Sequence, residues 1–119
     1  RAAVFFEDQF FQKWSVNEPI PYFLDESLAI YDRTDIRDAL AEISSKTCIR
    51  FSEKTTRPTG YHIHYVKIDR RSFCGLSYIG RTAPANPIYL SFDCGDAKGV
   101  AMHETLHALG LAHEHVRVD

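Results

Sequence analysis

Residues 103–113 read His103-Glu104-Thr105-Leu106-His107-Ala108-Leu109-Gly110-Leu111-Ala112-His113 and fill every fixed position of the pattern H-E-x-x-H-x-x-G-x-x-H. Side chains four residues apart on an α-helix lie on the same face, so His103 and His107 can bind one metal ion. Glu104 turns toward the same side, where it can reach a water molecule bound to that metal. The stretch therefore predicts a metal-binding helix with an acidic residue beside the metal.

The last two fixed positions complete the predicted site. Gly110 can adopt the left-handed conformation that ends a helix and turns the chain back. His113 then supplies a third ligand from outside the helix. Three histidine ligands leave a fourth position open, which is typical of catalytic zinc, because structural zinc is closed by four protein ligands. We therefore expect one Zn²⁺ per chain, held by His103, His107 and His113.

The alternative interpretation is a buried helix with incidental histidines. Five fixed positions, three of them the uncommon residue His, would coincide by chance in roughly one chain in 10⁵ at ordinary compositions. The metal site is therefore the preferred interpretation.

Composition describes a single globular unit and excludes some partners. The chain has 119 residues, of which 45% are hydrophobic and 25% charged, as in ordinary soluble domains. The net charge of −2 gives no reason to expect nucleic acid or a membrane surface as a partner. No apolar run approaches the ~20 residues that a membrane-spanning helix needs.

The apolar pattern predicts two helices. Asp32 or Thr34 can cap the first, which runs to about residue 45. Its apolar residues recur at helical spacing, namely at Ile36, Leu40 and Ile43. The second helix covers residues 96–109, with Asp96 as its cap, and carries the metal-binding stretch.

Five short segments predict strands: 19–24, 48–52, 61–68, 77–79 and 88–92. Pro19 and Pro21 favour an edge position for the first, because proline interrupts the hydrogen bonds of a central strand. His62 and His64 lie two apart in the third strand and face one way. A solvent-facing pair is the preferred interpretation there, and a second metal site is the alternative. The order strand, helix, strands, helix predicts an α+β fold with a mixed sheet.

The metal-binding stretch resembles the long signature of the metzincin zinc peptidases. Residues 114–119, Glu-His-Val-Arg-Val-Asp, resemble the continuation of that signature peculiar to the astacin family. Three earlier segments are similar to family segments: Trp14 with Ile-Pro-Tyr at 20–22, Lys-Thr-Cys-Ile-Arg-Phe at 46–51, and Cys-Gly-Leu-Ser-Tyr-Ile-Gly-Arg at 74–81. The resemblance therefore spans nearly the whole chain.

The chain also departs from the family pattern. Leu111 stands where Phe is usual, and two glycines usual after the Ser-x-Val-Gly segment are replaced by residues 83–87. Met102 directly precedes His103, so it cannot form the Met-containing turn that lies beneath the family's zinc. We therefore expect residues 1–119 to form only the N-terminal subdomain of the peptidase domain, with the C-terminal subdomain missing. The resemblance implies a twisted mixed sheet and two long helices, the second carrying the zinc motif.

The resemblance implies a zinc-dependent endopeptidase acting on peptides or proteins. Glu104 would be the general base that takes a proton from the zinc-bound water and passes it to the leaving amine. Glu114 would be a structural anchor near His113. In the family, the matching glutamate binds the N-terminus that activation cleavage of a zymogen frees, here at Ala2. The alternatives are a catalytically inactive zinc-binding fragment and a non-enzymatic regulatory module.

The three cysteines form an odd set. The resemblance pairs Cys74 with Cys94 and leaves Cys48 for a partner in the missing half. A disulfide implies a secreted, extracellular protein. Three reduced thiols in a cytosolic protein are the alternative.

The resemblance also places a substrate-binding strand beside the cleft. Because that strand pairs with an extended substrate, we expect it at the edge of the sheet, at Ile88, Tyr89, Leu90 and Ser91. An ordinary edge strand is the alternative interpretation.

Overall fold

The computed structural model describes residues 14–15, 17–69, 73–78, 80–81 and 83–110. In this part of the chain the elements are, in order, β1 (Ile20–Leu24), α1 (Ile30–Lys46), β2 (Phe51–Lys54), β3 (His62–Lys67), β4 (Gly75–Ser77), β5 (Ala85–Leu90) and α2 (Ala97–Ala108). The predicted α+β fold with two helices is confirmed. Among the described residues, no helix has the length and apolar character to cross a membrane.

The five strands form one mixed sheet in the order β2-β1-β3-β5-β4. Strands β2, β1, β3 and β5 run parallel to one another, whereas β4 runs antiparallel to β5. The predicted mixed sheet is thus confirmed. In the described part of the chain, β2 and β4 are its two edges.

The prediction that the first strand lies at an edge is wrong, because β1 lies between β2 and β3. The backbone N–H of Ile20 donates to Arg50 O on the β2 side at 2.8 Å. Alternation then directs the nitrogen of Pro21 to the β3 side, where pairing begins only at Tyr22. The missing N–H of Pro21 therefore interrupts no hydrogen bond between paired residues.

The prediction that Ile88–Tyr89–Leu90–Ser91 is the edge strand is also wrong. These residues, except Ser91, belong to β5, which has β3 on one side and β4 on the other. Ile88 is paired with Tyr65 of β3 and with Ser77 of β4. Both sides of its backbone are occupied, so the edge on this side of the sheet belongs to β4.

Helix α1 begins earlier than predicted, with Ala29 as its N-terminal cap. Asp32 lies in the first turn, where its carboxylate accepts the Ala29 N–H at 2.9 Å. Thr34 lies inside the helix and donates its hydroxyl to Ile30 O at 3.3 Å. The capping prediction is therefore wrong in position, although Asp32 still satisfies an N–H at the helix start, where negative charge is favourable. The predicted apolar face is confirmed, with these residues buried: Ile36, Leu40 and Ile43.

Helix α2 is fixed to the sheet by a buried polar contact. The hydroxyls of Tyr65 in β3 and Thr105 in α2 lie 2.7 Å apart, and both side chains are fully buried. Burial raises the pKa of Tyr65 well above its usual value, so its hydroxyl stays protonated and neutral. Trp14 adds a second contact by donating its ring N–H to Ala108 O at 3.1 Å. The helix therefore has a fixed position against the sheet.

An ion pair at the surface predicts a small pH-dependent part of the stability. Arg37 of α1 donates to both carboxylate oxygens of Glu53 in β2, at 2.8 and 2.9 Å. This bonding lowers the pKa of Glu53, so its contribution is present above the unfolded-state pKa of ~4.3 and is lost as pH falls through the folded value. We expect Glu53→Gln to reduce the free energy of unfolding by about 0.2–1 kcal/mol at pH 7, because solvent screens the pair. Urea unfolding should show this difference shrinking below about pH 4, and a difference that persists there would contradict the assignment.

Candidate active site

Helix α2 has defined caps at both ends. At its start, the Asp96 side chain accepts the Gly99 N–H at 3.0 Å, which confirms the predicted cap. At its end, Gly110 has φ +84° and donates its N–H to His107 O at 2.9 Å. The left-handed conformation expected of Gly110 is therefore present directly after the helix.

His103 and His107 converge as their spacing predicts. Their Nε2 atoms lie 2.9 Å apart, and their rings meet edge to face with centroids 4.4 Å apart. Two nitrogens bound to one Zn²⁺ at about 2.0–2.1 Å in tetrahedral geometry lie about 3.3 Å apart, so this pair, at hydrogen-bond distance, lies slightly closer together than a zinc ion would hold it. The two histidines therefore lie within reach of one zinc ion.

His113 and Glu114 lie outside the described residues, so their predicted roles as third ligand and structural anchor stay predictions. The predicted mature N-terminus at Ala2 lies outside them as well. Within the described ranges, no group of three or more potential metal ligands is formed. The His103–His107 pair is thus the part of the predicted zinc site that lies within the described residues.

Glu104 lies between the two histidines in sequence and is buried, with 8% of its surface exposed. Its Oε1 atom accepts the Ser77 hydroxyl at 2.8 Å, and the same hydroxyl lies 3.1 Å from Glu104 O. On the same strand, a Cβ atom added at Gly75 would lie 2.9 Å from Glu104 Cγ. Strand β4 therefore packs directly against the side chain of the predicted general base.

The sequence alone indicates no role for Ser77 or Gly75. Both lie in the 74–81 segment that resembles the family pattern, and this resemblance is the feature of the sequence that could have drawn attention to them. The contact between Ser77 and Glu104 joins residues that are 27 positions apart in sequence. No local periodicity could have indicated which helix residue they meet.

Two further links join the region of β4 to α2. The predicted Cys74–Cys94 disulfide is present, and it ties the residue before β4 to the segment that precedes the Asp96 cap. Beyond β4, the Gly80 N–H donates to His107 O at 3.0 Å. Strand β4 is therefore held against the helix near both of its ends.

The third cysteine, Cys48, is free and exposed.

The prediction of a solvent-facing His62–His64 pair is wrong, because both side chains are buried. The first four residues of β3 are buried on both faces of the sheet, which the alternating sequence could not show. His64 Nε2 lies 3.0 Å from an Asp25 carboxylate oxygen, and His62 Nδ1 lies 2.7 Å from Gly60 O. Their ring centroids are 6.3 Å apart. The alternative of a second metal site has no support among the described residues, which form no cluster of three ligands.

The chain matches one known protein family and several curated relatives. A family model described as astacin, a peptidase family, matches residues 6–119. Zinc metalloproteinase nas-9 from Caenorhabditis elegans is 60% identical over 119 residues, and nas-10 from the same organism is 56% identical over 119 residues. Each match takes in 100% of this chain and 22% of the relative. The chain thus spans about a fifth of the length of these curated relatives.

Solved structures show the same fold. High choriolytic enzyme 1, a hatching enzyme zinc-protease from Oryzias latipes, superposes with a TM-score of 0.66 at 26% identity, over 85% of this chain and 52% of that one. Myroilysin superposes with a TM-score of 0.64 at 21% identity, over 87% of this chain and 52% of its own. At that identity, the likeness to myroilysin concerns the fold alone.

Proposed function

The chain belongs to the astacin family, and we propose that it supplies the zinc-binding helix and the general base of a zinc-dependent endopeptidase. The observation that carries the proposal is the convergence of His103 and His107, with Nε2 atoms 2.9 Å apart, on the helix that also holds buried Glu104. The names of the relatives, zinc metalloproteinases, support the same reaction class.

Each residue of the site has a separate task in this proposal. His103, His107 and His113 hold Zn²⁺ as neutral imidazoles. When bound, zinc supplies Lewis acidity, which polarises a scissile carbonyl and acidifies a water molecule. The Glu104 carboxylate accepts the proton of that water and later donates it to the leaving amine. Since Ser77 holds Oε1, we place the transferred proton on Oε2.

Glu104 is suited to this task by its surroundings. Its side chain is buried beside an edge strand, which limits competition from bulk water. The Ser77 hydroxyl directs one carboxylate oxygen, so the other has a defined direction. A fixed proton acceptor raises the rate because no reorientation is needed during reaction.

We place the substrate strand at β4 rather than at β5. An edge strand offers unpaired backbone groups to an extended peptide, and β4 is the edge on this side of the described sheet. Gly75 and Ser77 of β4 touch Glu104, so a peptide added there would lie beside the general base. The substrate class that follows is an extended peptide or protein segment.

Three further properties belong to the proposal. The Cys74–Cys94 disulfide supports a secreted, extracellular protein, because such bonds persist in oxidising compartments. A zymogen whose freed N-terminus meets Glu114 is proposed from the family resemblance. Catalysis also requires a C-terminal subdomain to complete the cleft, and we propose it as the partner of this subdomain.

Zinc content is the first test of this function. We expect about one zinc per molecule in the wild-type protein, lost in His107→Ala and weakened at low pH, where protons compete for the imidazoles. Lys98→Ala is the control, because Lys98 lies in the first turn of the same helix, is partly exposed and should keep the zinc. Elemental analysis measures both. Wild-type protein without zinc at neutral pH would refute the metal site.

A peptide-cleavage assay then separates an enzyme from its alternatives. Cleavage should stop on adding a zinc chelator and return on adding zinc. Zinc-loaded, full-length protein that cleaves nothing would instead indicate a zinc-binding module without enzymatic activity.

A further inference from the structure

We propose that Ser77 is a positioning residue that fixes the carboxylate of Glu104 from the edge strand β4. The inference rests on the proposed function, in which Glu104 is the general base. It adds a residue outside the metal-binding helix to the machinery of the reaction.

The first observation is the direction of one hydrogen bond. The Ser77 hydroxyl has a single proton and two acceptors on Glu104, Oε1 at 2.8 Å and the backbone O at 3.1 Å. Oε1 is the nearer of the two acceptors, so the proton is directed to Oε1. Glutamate is a long side chain with considerable rotamer freedom, and this bond restricts the end that reacts.

The second observation is a close approach of backbone to side chain. A Cβ atom at Gly75 would lie 2.9 Å from both Glu104 Cγ and Val100 Cγ1, and 3.3 Å from Glu104 Oε2. The space that a side chain would need at Gly75 is therefore filled by the stem of Glu104. Strand β4 confines the stem at Gly75 and the carboxylate at Ser77, two residues further along the same face.

The third observation is that β4 cannot shift freely relative to α2. Its residues pair with β5 in antiparallel register, from Gly75 opposite Leu90 to Ser77 opposite Ile88. The Cys74–Cys94 disulfide precedes the strand, and the bond from the Gly80 N–H to His107 O follows it. The Ser77 hydroxyl is thus presented to Glu104 by a strand that is tied to the same helix. Such support is what a preorganised catalytic group requires.

A positioning role predicts a specific kinetic effect. Substrate would pair with the backbone of β4, whereas the Ser77 hydroxyl points to Glu104, so the substitution Ser77→Ala should lower kcat and leave KM unchanged. We expect kcat to fall about 10-fold, a part of the effect that a general base supplies. Ser77→Thr keeps a hydroxyl and should restore most of the rate. Gly75→Ala should also lower kcat, because its Cβ displaces Glu104.

The experiment compares these variants in full-length, zinc-loaded protein, with zinc content and thermal stability measured for each. Ser52→Ala is the matched control, because Ser52 lies in β2, at the opposite edge of the sheet, and should leave kcat unchanged. In the Glu104→Gln background, Ser77→Ala should have no further effect on the residual rate. A readout independent of activity is the side-chain carboxyl ¹³C resonance of Glu104, which should shift in Ser77→Ala and return toward wild type in Ser77→Thr.

The outcomes separate this inference from the proposed function. If Glu104→Gln abolishes activity but Ser77→Ala retains the wild-type kcat and Glu104 resonance, the positioning role is wrong and the proposed function stands. If Ser77→Ala lowers the rate equally in the Glu104→Gln background, Ser77 acts independently of Glu104 and the inference is overturned. If Glu104→Gln keeps full activity, another group accepts the proton, and the proposed function fails in its assignment of Glu104 as the general base.

Discussion

Glu104→Gln is expected to lower kcat/KM for peptide cleavage by roughly 10²–10⁴-fold while zinc content stays near one per molecule. The amide has the shape of the carboxylate, and its oxygen can still accept the Ser77 hydroxyl that Oε1 accepts in the wild type at 2.8 Å. What it lacks is a group that can take up a proton. Since none of the three proposed metal ligands changes, the loss would measure proton transfer and not metal binding.

The measurement is kcat/KM for one fluorogenic peptide at equal zinc occupancy. Glu53→Gln is the matched control, because it makes the same chemical change on β2, at the opposite edge of the sheet from β4. We expect its kcat/KM to remain within about twofold of wild type, as for a surface substitution far from the site. Activity retained in Glu104→Gln with zinc bound would show that another group accepts the proton.

The helix that carries His103 and His107 was predictable from sequence because its geometry is local. Four residues of helix bring His103 and His107 together whatever lies around them, and the structure has their nitrogens 2.9 Å apart. The conformation of Gly110 and the cap at Asp96 are local for the same reason. The Cys74–Cys94 disulfide is not a local feature, because its cysteines are 20 positions apart in sequence. Its prediction came from the family resemblance.

Strand order was not predictable in the same way. Alternation of residues shows that a segment is extended, but pairing with residues far away in sequence decides which strand lies outermost. The first strand was placed at an edge because of its prolines, yet Pro21 lies where its missing N–H has no partner to lose. The strand β5 was placed at an edge, yet β4, with only three residues, covers it.

The burial of polar residues could not be predicted from the sequence either. His62 and His64 alternate as a solvent-facing pair would, but β3 is a central strand whose first four residues are buried on both faces. The buried His64 ring contacts a carboxylate oxygen of Asp25, which lies 39 positions away in sequence. The contact between Ser77 and Glu104 could not be predicted for the same reason. Both depend on how the sheet places distant segments.

Removing the Cys74–Cys94 disulfide is expected to reduce the free energy of unfolding by about 3 kcal/mol, since it closes a loop with a sequence separation of 20 residues. The double substitution Cys74→Ala with Cys94→Ala would be measured by urea unfolding of the 119-residue chain under oxidising conditions. Cys48→Ser is the matched control, because that cysteine is free and exposed, and it should change the free energy by no more than about 0.5 kcal/mol.

The same double variant should affect catalysis for a structural reason. The bridge ties the start of β4 to the segment before α2, and β4 carries the hydroxyl that Glu104 accepts. Without the disulfide, β4 keeps its pairing with β5 and the hydrogen bond from Gly80 to His107. The strand loses, however, its covalent link near the start of the helix. We therefore expect kcat of the folded full-length variant to fall, with zinc content unchanged, because His103 and His107 stay on the same helix. A loss of stability without any loss of kcat would show that the bridge holds the fold together but does not position the general base.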